Sequence, residues 1–182
     1  MKYLIASDLH GSAKYTEQLL AAYDREGADR LLLLGDLLYH GPRNDLPDGY
    51  APKKVAELLN ARRGEILSVR GNCEAEVDQM MLNFPILGDY CLLSEGNRTV
   101  FATHGHVYNR DNLPPLKEGD VLLYGHTHVP LSETVLGVVC LNPGSVSIPK
   151  EGSPRGYMTL EGGVFRWMTL AGEEYNSFDL NA

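Results

Sequence analysis

KYLIASDLHGS, residues 2–12, joins a short β-branched and apolar run, Lys2 to Ser7, to an abrupt polar loop, Asp8-Leu9-His10-Gly11-Ser12. A buried strand ends in this way, and Ser12 is placed to cap a helix through about Tyr23, with Leu19, Leu20 and Tyr23 turned inward. The same grammar recurs downstream. Leu31 to Leu34 is apolar at every position, reads as a second buried strand and stops at Gly35-Asp36. After a proline-rich loop from Pro42 to Pro52, a helix is expected over about Lys53 to Arg62. Ile66 to Arg70 then reads as a third strand, closed by Gly71-Asn72. Strand, loop, helix, strand is the rhythm of a parallel α/β unit whose sites lie at the carboxyl ends of its strands.

The second half changes character. Tyr90 to Leu93, Arg98 to Thr103, Val121 to Tyr124 and Thr134 to Leu141 read as strands separated by turns or a short helical stretch. From Gly156 onward, turns at Glu161-Gly162-Gly163 and Ala171-Gly172-Glu173 divide three more short strands. The expectation is an α/β fold of two packed, mixed β-sheets, a β-sandwich flanked by helices. No linker-like shift in composition and no repeat appears, so residues 1–182 are expected to form a single domain.

Composition narrows the function. The 182 residues suffice for a full core, and the formal charge of −8 argues against general affinity for long nucleic acid. A small anionic substrate stays open, because bound divalent ions would invert the local field. Cys73, Cys91 and Cys140 are odd in number and lack CxxC spacing, so no disulfide framework or zinc-thiolate site is indicated. Neither a signal-like segment nor a membrane-length apolar run is evident, so a cytoplasmic protein with no membrane partner is expected.

The chemistry lies in seven side chains grouped in five patches: Asp8 with His10, Asp36, Asn72, His104, and His126 with His128. Each patch follows a β-rich run, and each has a glycine beside or near the ligand. Singly they are weak. An Asp-x-His or Gly-Asp after a strand is usually a turn, and Asn72 alone would be a turn residue. His104-Gly105-His106 carries a spare histidine. Together they are specific, because chance seldom puts five such patches at successive strand ends. Seven N and O donors with one carboxylate to share are enough for two metal ions, an arrangement built chiefly to activate water against phosphorus or a carbonyl centre.

The order D-x-H, G-D, G-N-x-[DE], G-H, G-H-T-H resembles the calcineurin-like metallophosphoesterases, from Asp8 to His128. The length, the G-N-C-E block at residues 71–74 and Asn142-Pro143-Gly144-Ser145 resemble the small bacterial phosphodiesterases of the YfcE type. The resemblance implies one metal held by Asp8, His10 and His128, a second held by Asn72, His104 and His126, and Asp36 shared between them. It also implies a bridging hydroxide that attacks phosphorus in line with the departing oxygen. Asp36, Asn72, Cys73 and His104 are the candidate catalytic residues. Manganese is the first choice of metal, with iron, nickel, zinc or cobalt as alternatives suited to mixed N and O donors.

Cys73 is where the chain departs from the pattern. Many family members carry histidine there, oriented by the following acid, which survives here as Glu74. A thiol with a pKa of about 8.5 donates a proton to an alkoxide less readily than imidazolium at about 6.5. Cys73 as a small packing residue is the competing reading. Arg43 is a candidate phosphate contact and His106 a candidate substrate contact, each weighed against an ordinary surface role. The loop from His40 to Pro52 reads as a lid, a specificity element or a subunit contact. Asn142 to Ser145 reads as a turn ending a strand. The expected activity is hydrolysis of small phosphodiesters. A phosphomonoesterase or phosphoprotein phosphatase, and a non-catalytic interaction module on the same fold, are the alternatives. A homo-oligomer is compatible with the sequence.

Overall fold

The computed structural model describes residues 1–182. β1 (Tyr3–Ala6) leads into α1 (Ala13–Glu26), whose first turn is capped by Ser12 Oγ accepting the Tyr15 N–H at 3.3 Å. The helix stops at Gly27, where φ is 59°, a left-handed cap that glycine adopts freely. β2 (Arg30–Leu33) follows. α2 (Pro52–Ala61) then opens on a proline whose missing N–H would have had no partner there, and β3 (Ile66–Ser68) completes a parallel β1-β2-β3 core. α3 (Glu76–Met81) has no buried side chain, so no apolar periodicity announced it.

β4 (Tyr90–Glu95), β5 (Arg98–Thr103), β6 (Val121–Leu123), β7 (Leu131–Val135) and β8 (Val138–Asn142) form a five-stranded sheet in the order β4-β5-β6-β8-β7. β9 (Gly156–Glu161), β10 (Val164–Thr169) and β11 (Glu174–Asp179) join the first sheet, which runs β11-β10-β9-β1-β2-β3.

Alternation along the strands makes two cores. Leu4, Ala6, Leu31 and Leu33 face α1 and α2, where they meet Leu19, Leu20, Val55 and Leu59. Their neighbours Ile5 and Leu32, with Leu34, face the second sheet and pack with Val100, Ala102, Leu123 and Leu141. Trp167 is fully buried between the sheets, and its indole N–H donates to the Asn142 carbonyl at 2.7 Å.

One expectation needs correction. The run Thr134 to Leu141 is not one strand but part of a hairpin. Leu136 and Gly137, with φ of 51° and 82°, make its two-residue turn. Its apolar residues continue through the turn, which hid the reversal. The C-terminal strands join the first sheet, where β9 pairs antiparallel with β1. The flanking helices α1 and α2 lie on the first sheet. The outer face of the second (Phe101, Leu122, Tyr124, Val138, Cys140) is covered by Tyr108, Leu113 and Leu116 from the irregular chain after β5.

Candidate metal centre

The loops after β1, β2, β3, β5 and β6 meet at one edge of the sandwich, where the two sheets present their parallel strand ends. They are stitched together by backbone: the Asp8 N–H donates to Gly35 O, the His10 N–H to Asp36 O, and the Gly125 N–H to His104 O, at 3.2, 2.9 and 2.8 Å. The approach is so close that a Cβ at Gly125 would overlap Ser7 Oγ. Asp8, His10, Asp36, His126 and His128 all have positive φ, from 46° to 66°. Left-handed backbone at a non-glycine residue costs about 1–2 kcal/mol. Five such residues in one pocket persist only because the surrounding bonds hold them, and the effect is to curl their side chains into a common space.

That space holds all seven side chains of the sequence pattern. Asp8 Oδ1 lies 3.5 Å from His10 Nε2 and 3.2 Å from His128 Nε2, and the two imidazole nitrogens are 3.2 Å apart. His104 Nε2 lies 3.1 Å from Asn72 Oδ1 and 3.2 Å from His126 Nδ1. Between the groups, Asp36 Oδ2 is 3.7 Å from His10 Nε2 and 3.5 Å from His104 Nε2. The other Asp36 oxygen accepts the Cys73 N–H at 2.9 Å. All but Asn72 and His126 are essentially buried.

The residues fit divalent cations. His10, His104 and His128 each use Nδ1 against a backbone carbonyl: Tyr39 O at 2.8 Å, Leu34 O at 2.6 Å and Ile148 O at 2.7 Å. Such a bond fixes ring orientation and leaves Nε2 facing inward, as in histidines that hold metals. Asp8 Oδ1 is buried and has no hydrogen-bond donor. An orphaned carboxylate oxygen beside two inward imidazole nitrogens is a cation-binding arrangement.

Electrostatics agree. Burial opposes ionisation of Asp8, but the neighbouring His10 and His128 imidazoles outweigh this and hold the carboxyl well below its usual range. Burial likewise presses His104 down, yet the bond to Asp36 and the Asp8 and Asp36 charges lift it to about 9. His126, desolvated and facing His104, falls to about 4. A histidine proton therefore takes part of the place a cation would fill.

The centre opens into a cavity of about 180 Å³ lined by His10, Asp36, Asn72, Cys73, His126 and His128, with Gly41, Pro42, Arg43 and Asn44 on the proline-rich loop and Lys150 beyond. Arg43 thus stands at the site. The loop from His40 to Pro52 contributes its first turn to the mouth. His106 is exposed and lies outside this lining, its ring centroid 5.4 Å from that of His104. Lys150 was missed, and no local signal marks it. Glu74 also differs from expectation. Both its oxygens accept backbone N–H groups, so it orients no side chain at position 73. Asn142 to Ser145 is more than a turn. Asn142 Nδ2 donates to Gly125 O at 2.7 Å, and Ser145 Oγ donates to Asp8 O at 2.9 Å.

Comparison with known proteins agrees with this architecture. The model of the calcineurin-like phosphoesterase superfamily domain matches residues 1–162. Phosphodiesterase YfcE of Escherichia coli (strain K12) is 49% identical over 170 residues, covering 93% of this chain and 92% of that protein. A solved structure of that E. coli phosphoesterase superposes with a TM-score of 0.95 at 46% identity over the whole of both chains. The probable metallophosphoesterase YsnB of Bacillus subtilis (strain 168) is 27% identical, covering 96% of this chain and 94% of that one. A two-sheet sandwich and a family model matched along most of the chain mean that the chain belongs to the calcineurin-like phosphoesterase superfamily.

Proposed function

We propose that this phosphoric ester hydrolase acts on small phosphodiesters and uses two divalent ions, manganese being the first choice. Asp8, His10 and His128 would hold one ion, Asn72, His104 and His126 the other, with Asp36 shared. The observation that carries this reading is Asp36 Oδ2, which faces a histidine of each group at 3.5–3.7 Å. When bound, the ions would supply an activated water for attack at phosphorus and positive charge for the phosphoryl oxygens.

The chain's own residues do the rest. Three backbone carbonyls hold the His10, His104 and His128 rings in register, so the donors need little reorganisation. Arg43 and Lys150 add positive charge to the cavity where a phosphate would enter. The preference for diesters rests on the relative at 49% identity, which is a phosphodiesterase, and on Cys73. Cys73 stands where a stronger proton donor would assist an alkoxide leaving group. A leaving group that departs without that help suits the site.

The test compares bis(p-nitrophenyl) phosphate with p-nitrophenyl phosphate, using protein loaded with Mn²⁺, in wild type and Asp36→Asn. The diester should turn over faster, and the substitution should cut kcat on the order of a hundredfold or more, as loss of a preorganised transition-state group does. A faster monoester would favour the phosphomonoesterase reading. An Asp36→Asn protein with full activity would exclude the shared carboxylate. No turnover in protein shown to carry metal would favour a non-catalytic module.

A further inference from the structure

We propose that two positioning braces hold the metal centre: Glu74 fixes the loops of the shared Asp36 and of Asn72, and Ser145 with Ser147 fix Asp8 and His128. The inference rests on the two-ion reading above.

Glu74 is 5% exposed. Its carboxylate has no cation partner; instead it accepts the Asp36 N–H at 2.9 Å, the Leu37 N–H at 2.7 Å and the Gly71 N–H at 2.5 Å. A buried anion survives when its lone pairs are filled in this way, and such charge-assisted bonds are among the stronger ones. The three donors belong to different loops. Asp36 and Leu37 follow β2, and Gly71 precedes Asn72 after β3. Glu74 therefore ties the loop of the shared carboxylate to the loop of Asn72. Asp36 needs such a tie, because its φ of 57° is unfavourable without one. Gly71 makes the contact possible, since a Cβ there would lie 2.7 Å from Glu74 Oε2 and overlap Asp36 Oδ1.

The other brace lies on a different segment. Ser145 Oγ and Ser147 Oγ both donate to the Asp8 carbonyl at 2.9 Å. Ser145 Oγ in turn accepts the Ser147 and Ile148 N–H groups at 3.2 and 2.9 Å. The Ile148 carbonyl accepts His128 Nδ1–H at 2.7 Å. One segment, residues 145–148, thus fixes the backbone of Asp8 and the ring of His128, two of the three donors in the Asp8, His10 and His128 half.

The two braces should therefore fail differently. Each half is isolated by removing a ligand of the other: His10→Ala leaves the Asn72 half, and His104→Ala leaves the Asp8 half. Mn²⁺ affinity is then measured by calorimetry, with Glu74→Gln or the pair Ser145→Ala and Ser147→Ala added. Gln keeps the volume, but its amide nitrogen must face a backbone N–H. Glu74→Gln, which releases the loop of the shared Asp36, should weaken Mn²⁺ binding by about 10–100-fold in both backgrounds, the usual effect of losing a group that orients a ligand. The serine pair should weaken it by about 10–100-fold in the His104→Ala background and by less than about threefold in the His10→Ala background. Glu74→Asp, which keeps the charge one methylene short, provides a second variant if Gln prevents folding. No weakening by Glu74→Gln in either background, or equal weakening by the serine pair in both, overturns the inference. Wild-type protein that binds two Mn²⁺ ions while the brace variants are indifferent overturns it alone; wild-type protein that binds one ion overturns the two-ion reading with it.

Discussion

Cys73 sits at the lip of the cavity, half-buried, with Asn72 Nδ2 donating to its sulfur at 3.3 Å. Burial, and after it the Asp36 charge, push the thiol far above its ordinary range, so it keeps its proton at neutral pH. Such a group is a poor proton donor to a departing alkoxide. Cys73→Ser should leave the dependence of rate on leaving-group pKa unchanged. Cys73→His should flatten it, with gains of about tenfold or more on poor leaving groups, because general-acid assistance is worth about 10²–10⁴ when well placed. Rates on a series of substituted phenyl esters would check this. His104 offers a second test. Its pKa in the folded, metal-free protein is raised to about 9, so its contribution to stability is full below about 6.5 and is lost as pH rises through about 9. Metal-free protein should accordingly lose thermal stability between pH 7 and 9.5. Below pH 9, metal binding must displace the proton. Calorimetry at pH 7.5 in buffers of different ionisation enthalpy should reveal its release, and Mn²⁺ affinity should weaken as pH falls.

The elements divide into those readable along the chain and those that are not. β1, β2, β3 and the capped α1 were legible because an apolar run, a polar stop and a serine cap are local signals. The β7–β8 hairpin was not, since apolar residues run through its Leu136-Gly137 turn. Nor was the role of Asn142 to Ser147, which looks like any strand end until folding brings it against two loops. Asn142 Nδ2 bonds Gly125 O at 2.7 Å and Thr127 Oγ1 at 3.1 Å, on either side of His126. Asn142→Ala should strip that carbonyl of one of its two hydrogen bonds, leaving only the Thr127 N–H, at a cost of about 0.5–1.5 kcal/mol, and loosen the loop carrying His126 and His128. Urea unfolding of metal-free protein should show the stability loss, and Mn²⁺-dependent turnover should fall with it.

Across the molecule, the sandwich itself aligns the centre. Trp167 lies between the sheets and holds the Asn142 carbonyl, so core and site share one path of contacts. Trp167→Ala should cost about 3–5 kcal/mol, measured by denaturant unfolding, and should lower metal-dependent activity as well. No helix is long and apolar enough to cross a membrane. Donor type, ligand order and the ends of the buried strands could be read along the chain, because side-chain chemistry and strand termination depend on near neighbours. Folding alone revealed which backbone groups Glu74 takes, why five donors adopt left-handed backbone, and that Lys150 reaches the cavity. Ser147 meets Asp8 across 139 positions. That contact exists only after β9 has paired with β1 and the two sheets have closed, and no local pattern encodes it.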